Sequence, residues 1–471
     1  MPSPGAPLKI SRVTGDSGVT RRTVLRAGAA AGMSLAAARA LPAWARPAAA
    51  ELTRVRKPGS KPFPHRREGE DSLPQIDHIV VVMMENHSFD NILGMLPHKV
   101  RSRRGVDGLP VSRRGTQLAV NLDASGKPVR AQHAPSVCQL ADAPRQDWNA
   151  SRLSYGGGKN DGFVKASGDV AMWFWDDIDL PFTYSLASLF PVGERYFGSC
   201  LAQTYPNRRY LLAGTSDGIT ATDNRTFSVP AKNGTIFDRL DHHHITWRNY
   251  YEDLPATLVV PGVFTQARKK NFQKLDVFFS DARRGKLPSV SFVDPQFEIR
   301  SEENPQDIQF GERFVSRVVR AVMESPNWKS TALFLTYDEH GGYFDHVPPP
   351  RAIEPDSTPP LLLPGEVPGA FDRYGFRVPL TAVSPYARRG YVSSVVQDHT
   401  SILRFIERKW NIGALTFRDA NAHDMNDYFD FKRKPAFLHP PRLAKAPAFG
   451  PGLDKCHALG LRPPGDPTPV S

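Results

Sequence analysis

The stretch Asp77–Asp90, DHIVVVMMENHSFD, decides how the rest of the chain is read. Ile79 to Met84 is an unbroken apolar run of β-favouring residues, the pattern of a strand buried on both faces. It stops abruptly at Glu85-Asn86. A second such run, ALFLTY from Ala332 to Tyr337, stops at Asp338-Glu339 and opens into HGGYFDHVPPP. There Gly341-Gly342 permits a sharp reversal, and Pro348–Pro350 lack amide hydrogens, so the acids stand where a buried strand becomes a loop. Further strands are expected in ITWRNYY near Ile245, in SVSFVD ending at Asp294 and in VPLTAVS from Val378. Helical spacing lies between them. GERFVSRVVRAVMES places Phe314, Val318 and Val322 on one face, and DHTSILRFIERKW offers Asp398 as an N-cap with Ile402, Phe405, Ile406 and Trp410 on one side. Strands alternating with helices predict an α/β fold: a central, mainly parallel sheet covered by helices on both faces, with long loops.

If the first two strands are central and parallel, Glu85-Asn86 and Asp338-Glu339 meet at one edge of the sheet, where α/β proteins bind ligands. Four oxygen-bearing side chains there suit a hard or borderline divalent cation. Acids at strand ends also cap loops, but both pairs are followed by histidines and one by the glycine pair. A third segment, LAQTYPNRRYLLAGTSDG from Leu201 to Gly218, has Pro206 suited to the first turn of a helix, so Thr204 falls at or just before the helix start. Alone, Thr204 reads as an N-cap. Beside a cation and the positive end of a helix dipole, its otherwise un-ionised hydroxyl gains nucleophilic character.

The chain has 471 residues, 40% of them apolar, enough for a substantial core. Its 43 prolines are roughly twice the usual share and predict many ordered loops. The N-terminal TRRTVLRAGAAAGMSLAAARALPAWA, with Arg21-Arg22, an alanine-rich weakly apolar stretch and Ala43-Trp44-Ala45, resembles a twin-arginine export signal. The expected organisation is a signal peptide over 1–45, a linker over 46–72, a catalytic domain over 73–434 and a Pro-rich tail over 435–471. The expected route is the twin-arginine translocase and the destination periplasmic or secreted, a route that carries folded proteins and so suits a chain loaded with metal before export. Beyond the N-terminus no apolar run approaches the roughly 18 residues of a spanning helix. Residues 1–45 carry +5 of the formal +12, leaving +7, a balance compatible with peripheral contact with anionic lipid or cell-wall polymers. The arginine runs at Arg101–Arg104 and Arg113-Arg114 have no interleaved aromatics, which argues against a nucleic-acid partner. Cys138, Cys200 and Cys456 lack metal-ligand spacing and allow one disulfide, with the pair left open.

Four stretches, DHIVVVMMENHSFDNILG, TYPNRRYLLAGTSDG, YDEHGGYFDHVPPP and VPLTAVSPYARRGYVSSVVQDHTSILRFIERKW, resemble the ordered motifs of the bacterial phospholipase C type phosphoesterase family. That family includes plant non-specific phospholipases C and exported acid phosphatases and belongs to the alkaline phosphatase superfamily. The resemblance runs from Ile76 to Phe431. It implies an alkaline phosphatase-like sheet and one divalent cation, whether zinc, manganese, calcium or magnesium, with Glu85, Asn86, Thr204, Asp338 and Glu339 as ligands. It also implies Thr204 as the nucleophile, attacking a phosphoester in line and passing through a phosphothreonine intermediate. His340 or His346 would bind phosphate or protonate the leaving oxygen. Asn207, Gln146 and Asn304 would lie at the substrate.

Gln146 (in Gln146-Asp147-Trp148) and Asn304 (in Asn304-Pro305) depart from the family, which commonly has histidine at both. Amides still donate hydrogen bonds but carry no charge. The expected activity is phospholipase C action on a phospholipid. An acid phosphatase acting on monoesters is the alternative enzyme. A non-catalytic envelope binder of phospho-ligands is the alternative outside catalysis, against which the retained Thr204 and acids argue. Among other candidates, His242–His244 read as a loop, His87 adjoins the acids only in sequence, and His399 falls in the first turn of the last helix. Tyr155, Trp173, Phe174 and Trp175 read as core aromatics or an apolar lip.

Overall fold

The computed structural model describes residues 55–139 and 144–448. The export signal, the first part of the expected linker and the end of the tail lie outside the described residues.

Strand β1 (His78–Met84) is central in an eight-stranded sheet with β2 (Val192–Gly193), β3 (Trp247–Tyr251), β4 (Phe272–Lys274), β5 (Val290–Val293), β6 (Thr331–Tyr337), β7 (Leu380–Val383) and β8 (Val392–Ser393). The spatial order is β8-β2-β7-β6-β1-β5-β3-β4. From β6 through β1, β5 and β3 to β4 every pairing is parallel. The VPLTAVS strand is present but runs antiparallel to β6, and β2 runs antiparallel to it in turn. The sheet is therefore mainly parallel, as expected. Every residue of β5, β6 and β7 is buried, and so is β1 from Ile79 onward. Consecutive buried residues require cover on both faces, because successive side chains point to opposite sides.

Helices surround the sheet. The ones that matter here are α1 (Phe89–Leu93), α2 (Thr204–Ala213), α3 (Leu275–Arg283), α4 (Ile308–Met323) and α5 (His399–Trp410). Helix α4 buries Phe314, Val318 and Val322, and α5 buries Ile402, Phe405 and Ile406, with the Phe405 ring 5.1 Å from Phe334 of β6. Helix α4 begins ahead of the Gly311 suggested by periodicity, because the Asp307 side chain accepts a hydrogen bond from the Gln309 amide and caps it. Asp398 and Ser401 form a reciprocal cap on α5.

Two registers position the site. Met84 lies beside Tyr337, and Val82 beside Val293, in adjacent parallel strands. Glu85, Asp338 and Asp294, each the first residue past its strand, therefore emerge at the same edge. Around this body, residues 55–72 pack along the end of α5, with Gly59 N donating to Ala414 O at 2.7 Å and Lys409 pairing with Asp71 at 2.6 Å. Cys138 is disulfide-bonded, whereas Cys200 is a buried free thiol.

Candidate functional site

The two acid pairs and Thr204 converge. Helix α2 starts at Thr204, whose Oγ1 lies 3.3 Å from Glu85 Oε2 and 3.3 Å from Asn86 Oδ1. The same hydroxyl also hydrogen-bonds Asp338. One hydroxyl proton thus faces three oxygen acceptors and satisfies at most one of them at a time. All four groups are buried: Thr204 is 6% exposed, Glu85 3%, Asn86 2% and Asp338 0%.

Local backbone explains the convergence. Asn86 adopts a left-handed conformation (φ 64°), which asparagine tolerates better than most residues, and its amide donates to Asp338 Oδ1 at 2.9 Å. The Glu339 amide donates to the same oxygen at 2.7 Å. Gly341 sets how closely the two strand ends approach. At φ 63° it lies against Asn86, and any Cβ there would overlap the Asn86 carbonyl oxygen. The two strand ends can approach this closely only because that side chain is missing.

Arg208, one helical turn after Thr204 on α2, holds the acids from behind. Its Nη2 donates to Glu85 Oε1 at 2.7 Å and its Nε to Asp338 Oδ2 at 3.3 Å, with all three side chains buried. Sequence reading assigned Arg208 no role, yet its i, i+4 spacing from Thr204 puts both on one helix face. Glu303, on the loop between β5 and α4, is a second omission. It hydrogen-bonds Asn86, and burial together with the Asp338 charge pushes it up to about 7.

One arginine against so many carboxylates leaves negative charge in excess. Burial, reinforced by the neighbouring Asp338 charge, raises Glu85 and Glu339 well above the ordinary carboxylate range, and burial raises Asp338 as well. Glu339 Oε1 and His340 Nε2 are buried with no hydrogen-bond partner among the described residues. A set of crowded oxygen donors, surplus acceptors around Thr204 and an orphaned carboxylate oxygen fits a divalent cation.

The remaining predicted residues separate. His340 lies beside the acids, with Nδ1 2.9 Å from Glu339 Oε2, and burial pulls its imidazole down to about 3. His346 stands in a different ion cluster, with Nδ1 2.6 Å from Asp90 and Nε2 3.0 Å from Asp107, while Arg377 bridges Asp90 and Asp345. Burial would lower the His346 pKa, but the two aspartates carry it up to about 9. Asn207 is fully buried, and its carboxamide is taken up by the loop into α2: Oδ1 accepts from Ser199 and Cys200, and Nδ2 donates to Ala202 O at 2.8 Å. It shapes the approach to Thr204 and presents no free polar atom. Asn304 is half-buried and accepts from Tyr343 Oη at 3.2 Å. Gln146 is half-buried and precedes Trp148.

Of the secondary candidates, His399 is buried with Nε2 2.7 Å from the Asp338 carbonyl oxygen, so it steadies a strand end that carries a site acid. His87 is buried and bonded to Asn91 and the Glu302 carbonyl. Phe174 and Trp175 belong to the core. His242–His244 line a cleft of about 340 Å³ with Glu68 and Glu70, ahead of the start of β3 and thus at the opposite edge of the sheet.

The sequence matches the model of the Phosphoesterase family over residues 76–413. It is 32% identical to non-specific phospholipase C1 of Arabidopsis thaliana over 81% of this chain and 75% of that one. It is 27% identical to non-hemolytic phospholipase C of Pseudomonas aeruginosa over 78% of this chain but only 58% of that longer protein. Among solved structures, a protein in the alkaline phosphatase superfamily from Vibrio parahaemolyticus aligns over 78% of this chain and 71% of that one with a TM-score of 0.39 and 8% identity, too loose a likeness to carry an argument. The match across most of the chain, over the same residues that bring Glu85, Thr204 and Asp338 together, makes this protein a member of the phosphoesterase family, a hydrolase acting on phosphoric ester bonds.

Proposed function

We propose that the chain is an exported phospholipase C that cleaves a phospholipid into diacylglycerol and a phosphorylated head group, with Thr204 as nucleophile. The observation that carries this reading is the Thr204 hydroxyl, at the first turn of α2 and within 3.3 Å of oxygens from Glu85 and Asn86. Similarity to proteins named phospholipase C supports the substrate class. The disulfide at Cys138 and the twin-arginine-like N-terminus support export to an oxidising compartment.

Glu85, Asn86, Thr204, Asp338 and Glu339 would hold one divalent cation, which when bound neutralises phosphoryl charge and favours the ionised threonine. Thr204 Oγ1 forms the new bond to phosphorus while the bond to the diacylglycerol oxygen breaks on the opposite side. The hydroxyl proton passes to the adjacent Glu85 Oε2. Arg208 keeps Glu85 and Asp338 aimed at the hydroxyl, and the α2 dipole favours the developing negative charge there. The departing diacylglycerol oxygen takes its proton from solvent; of the two histidines, His340 is the one beside the acids, with Nδ1 2.9 Å from Glu339 Oε2, and burial keeps its ring neutral. Water then hydrolyses the phosphothreonine and restores the hydroxyl.

The test is hydrolysis of phosphatidylcholine and of a soluble phosphomonoester by the mature protein, with and without chelator, beside Thr204→Ala. Chelator-sensitive release of diacylglycerol that falls by about a thousandfold or more in Thr204→Ala is the expected result. Phosphate released from the monoester alone would make the protein a phosphatase, and undiminished activity in Thr204→Ala would remove the nucleophile assignment.

A further inference from the structure

Twelve large apolar side chains are exposed among the described residues, and three of them, Leu361, Leu362 and Val367, fall within seven positions. They belong to TPPLLLPGEVPGA, Thr358–Ala370, and are 40%, 39% and 42% exposed. Single exposed apolar residues are ordinary, but a leucine run held in water calls for a partner. This loop is not loose. The Leu361 amide donates to Gly218 O at 2.7 Å, the Val367 amide to Asn149 Oδ1 at 2.9 Å, and Trp148 Nε1 donates to Val367 O at 2.9 Å. Glu366 folds back to accept from the Leu363 amide at 2.7 Å and from Thr220 Oγ1 at 2.9 Å. The backbone is pinned at both ends while the apolar side chains point outward.

The pins lead to Thr204. Thr222 N donates to Gln203 Oε1 at 3.0 Å and Thr222 Oγ1 accepts from the Tyr205 amide at 3.3 Å, so the 215–227 segment that holds one end of the loop also flanks the nucleophile on both sides. Phe227, 48% exposed, packs 5.8 Å from the Tyr205 ring and extends the apolar surface toward α2. At the other end Trp148 lies two residues past Gln146. Cations stand at the base. Arg225 Nη1 donates to Leu361 O at 2.5 Å and Lys232 Nζ to Thr358 Oγ1 at 2.8 Å, with Asp223 paired to Arg225.

We propose that the 358–370 loop is the lipid-docking surface of the enzyme, inserting Leu361, Leu362 and Val367 beside the acyl chains of a phospholipid bilayer while Lys232 at its base meets the phosphates and Arg225, paired to Asp223, holds the Leu361 carbonyl. The inference rests on the phospholipase reading and names the surface through which that substrate is met. Apolar side chains on a hydrogen-bonded turn with a lysine at its base match the order of acyl region and head group in a bilayer. The net positive charge of the chain outside its first 45 residues agrees with an anionic surface.

The test separates binding from turnover. In a Thr204→Ala background, the protein is floated with vesicles of phosphatidylcholine and phosphatidylglycerol, with and without Leu361→Ser, Leu362→Ser and Val367→Ser together. The expected result is vesicle partition that drops by about tenfold or more in the loop variant. With Thr204 intact, the loop variant should keep its rate on monomeric dihexanoylphosphatidylcholine, which also shows that it folds, and lose about tenfold on vesicles. Equal partition or equal vesicle rates would overturn the docking assignment while leaving the phospholipase reading in place. Loop-dependent flotation without cleavage of either lipid would do the reverse. Self-association of the parent protein that the loop variant abolishes, with no vesicle partition, would assign the surface to a second copy of the chain and overturn the proposal.

Discussion

At the scale of single residues, the site depends on one cation and one missing side chain. Among the described residues Arg208 is the one ion-pair partner of Glu85 and Asp338, and all three are buried. Arg208→Gln should destabilise the protein by about 3–5 kcal/mol in urea unfolding, because removing one partner leaves buried charge uncompensated. Added divalent cation should recover part of that loss; no recovery would argue against a cation among the acids. Gly341→Ala places a methyl group on the Asn86 carbonyl oxygen at a positive φ, so it should reduce hydrolysis sharply and lower the melting temperature together. Normal activity in that variant would show that the two strand ends need not stay in contact. Thr204, the acids and the glycine pair were all legible as residue types at telling positions. Arg208 and Glu303 were not, since an arginine or a glutamate in a long sequence gains meaning only from what it touches.

At the scale of elements, two parallel strands and the starts of two helices do the positioning. Met84 beside Tyr337 brings Glu85 and Asp338 level, and the first turn of α2 brings Thr204 to them. The start of α5 reaches the same place through His399, whose ring bonds the Asp338 carbonyl. Asp398→Ala removes the cap of that helix and should cost about 1–2 kcal/mol of stability. It should also lower hydrolysis by loosening His399 against Asp338, whereas His399→Gln, which keeps a hydrogen-bonding group, should retain more activity. Thermal melts and steady-state rates on both variants check this, and an Asp398→Ala protein with lost stability but full activity would confine the cap to a structural role. The buried strands and amphipathic helices were predictable from apolar runs and helical spacing. The antiparallel direction of β7 was not, because VPLTAVS reads alike in either orientation and only its neighbours decide.

At the scale of the whole molecule, buried histidines set the pH range of the fold. His346 has its folded pKa raised to about 9 by Asp90 and Asp107, so its contribution is fully present below the unfolded value and is lost as pH rises through about 9. Burial holds His87 and His399 down to about 4, so their contribution is present above the unfolded value and is lost as pH falls through about 4. Stability should therefore decline on both sides of a plateau near neutral pH, and His346→Gln should flatten the alkaline limb; an unchanged alkaline limb would mean that the Asp90–His346–Asp107 cluster does not couple to folding. By itself the sequence determined the α/β class, the buried strands that end in acids and the family, because apolar runs, turn residues and long ordered motifs are local and survive being read one after another. Tertiary structure alone decided that His340 and not His346 adjoins the acids, that Asn207 is spent on its own loop, and that the 358–370 loop is bonded to the 215–227 segment that flanks Thr204. Those outcomes depend on which distant segments the sheet brings side by side, and spacing along a chain carries no record of that.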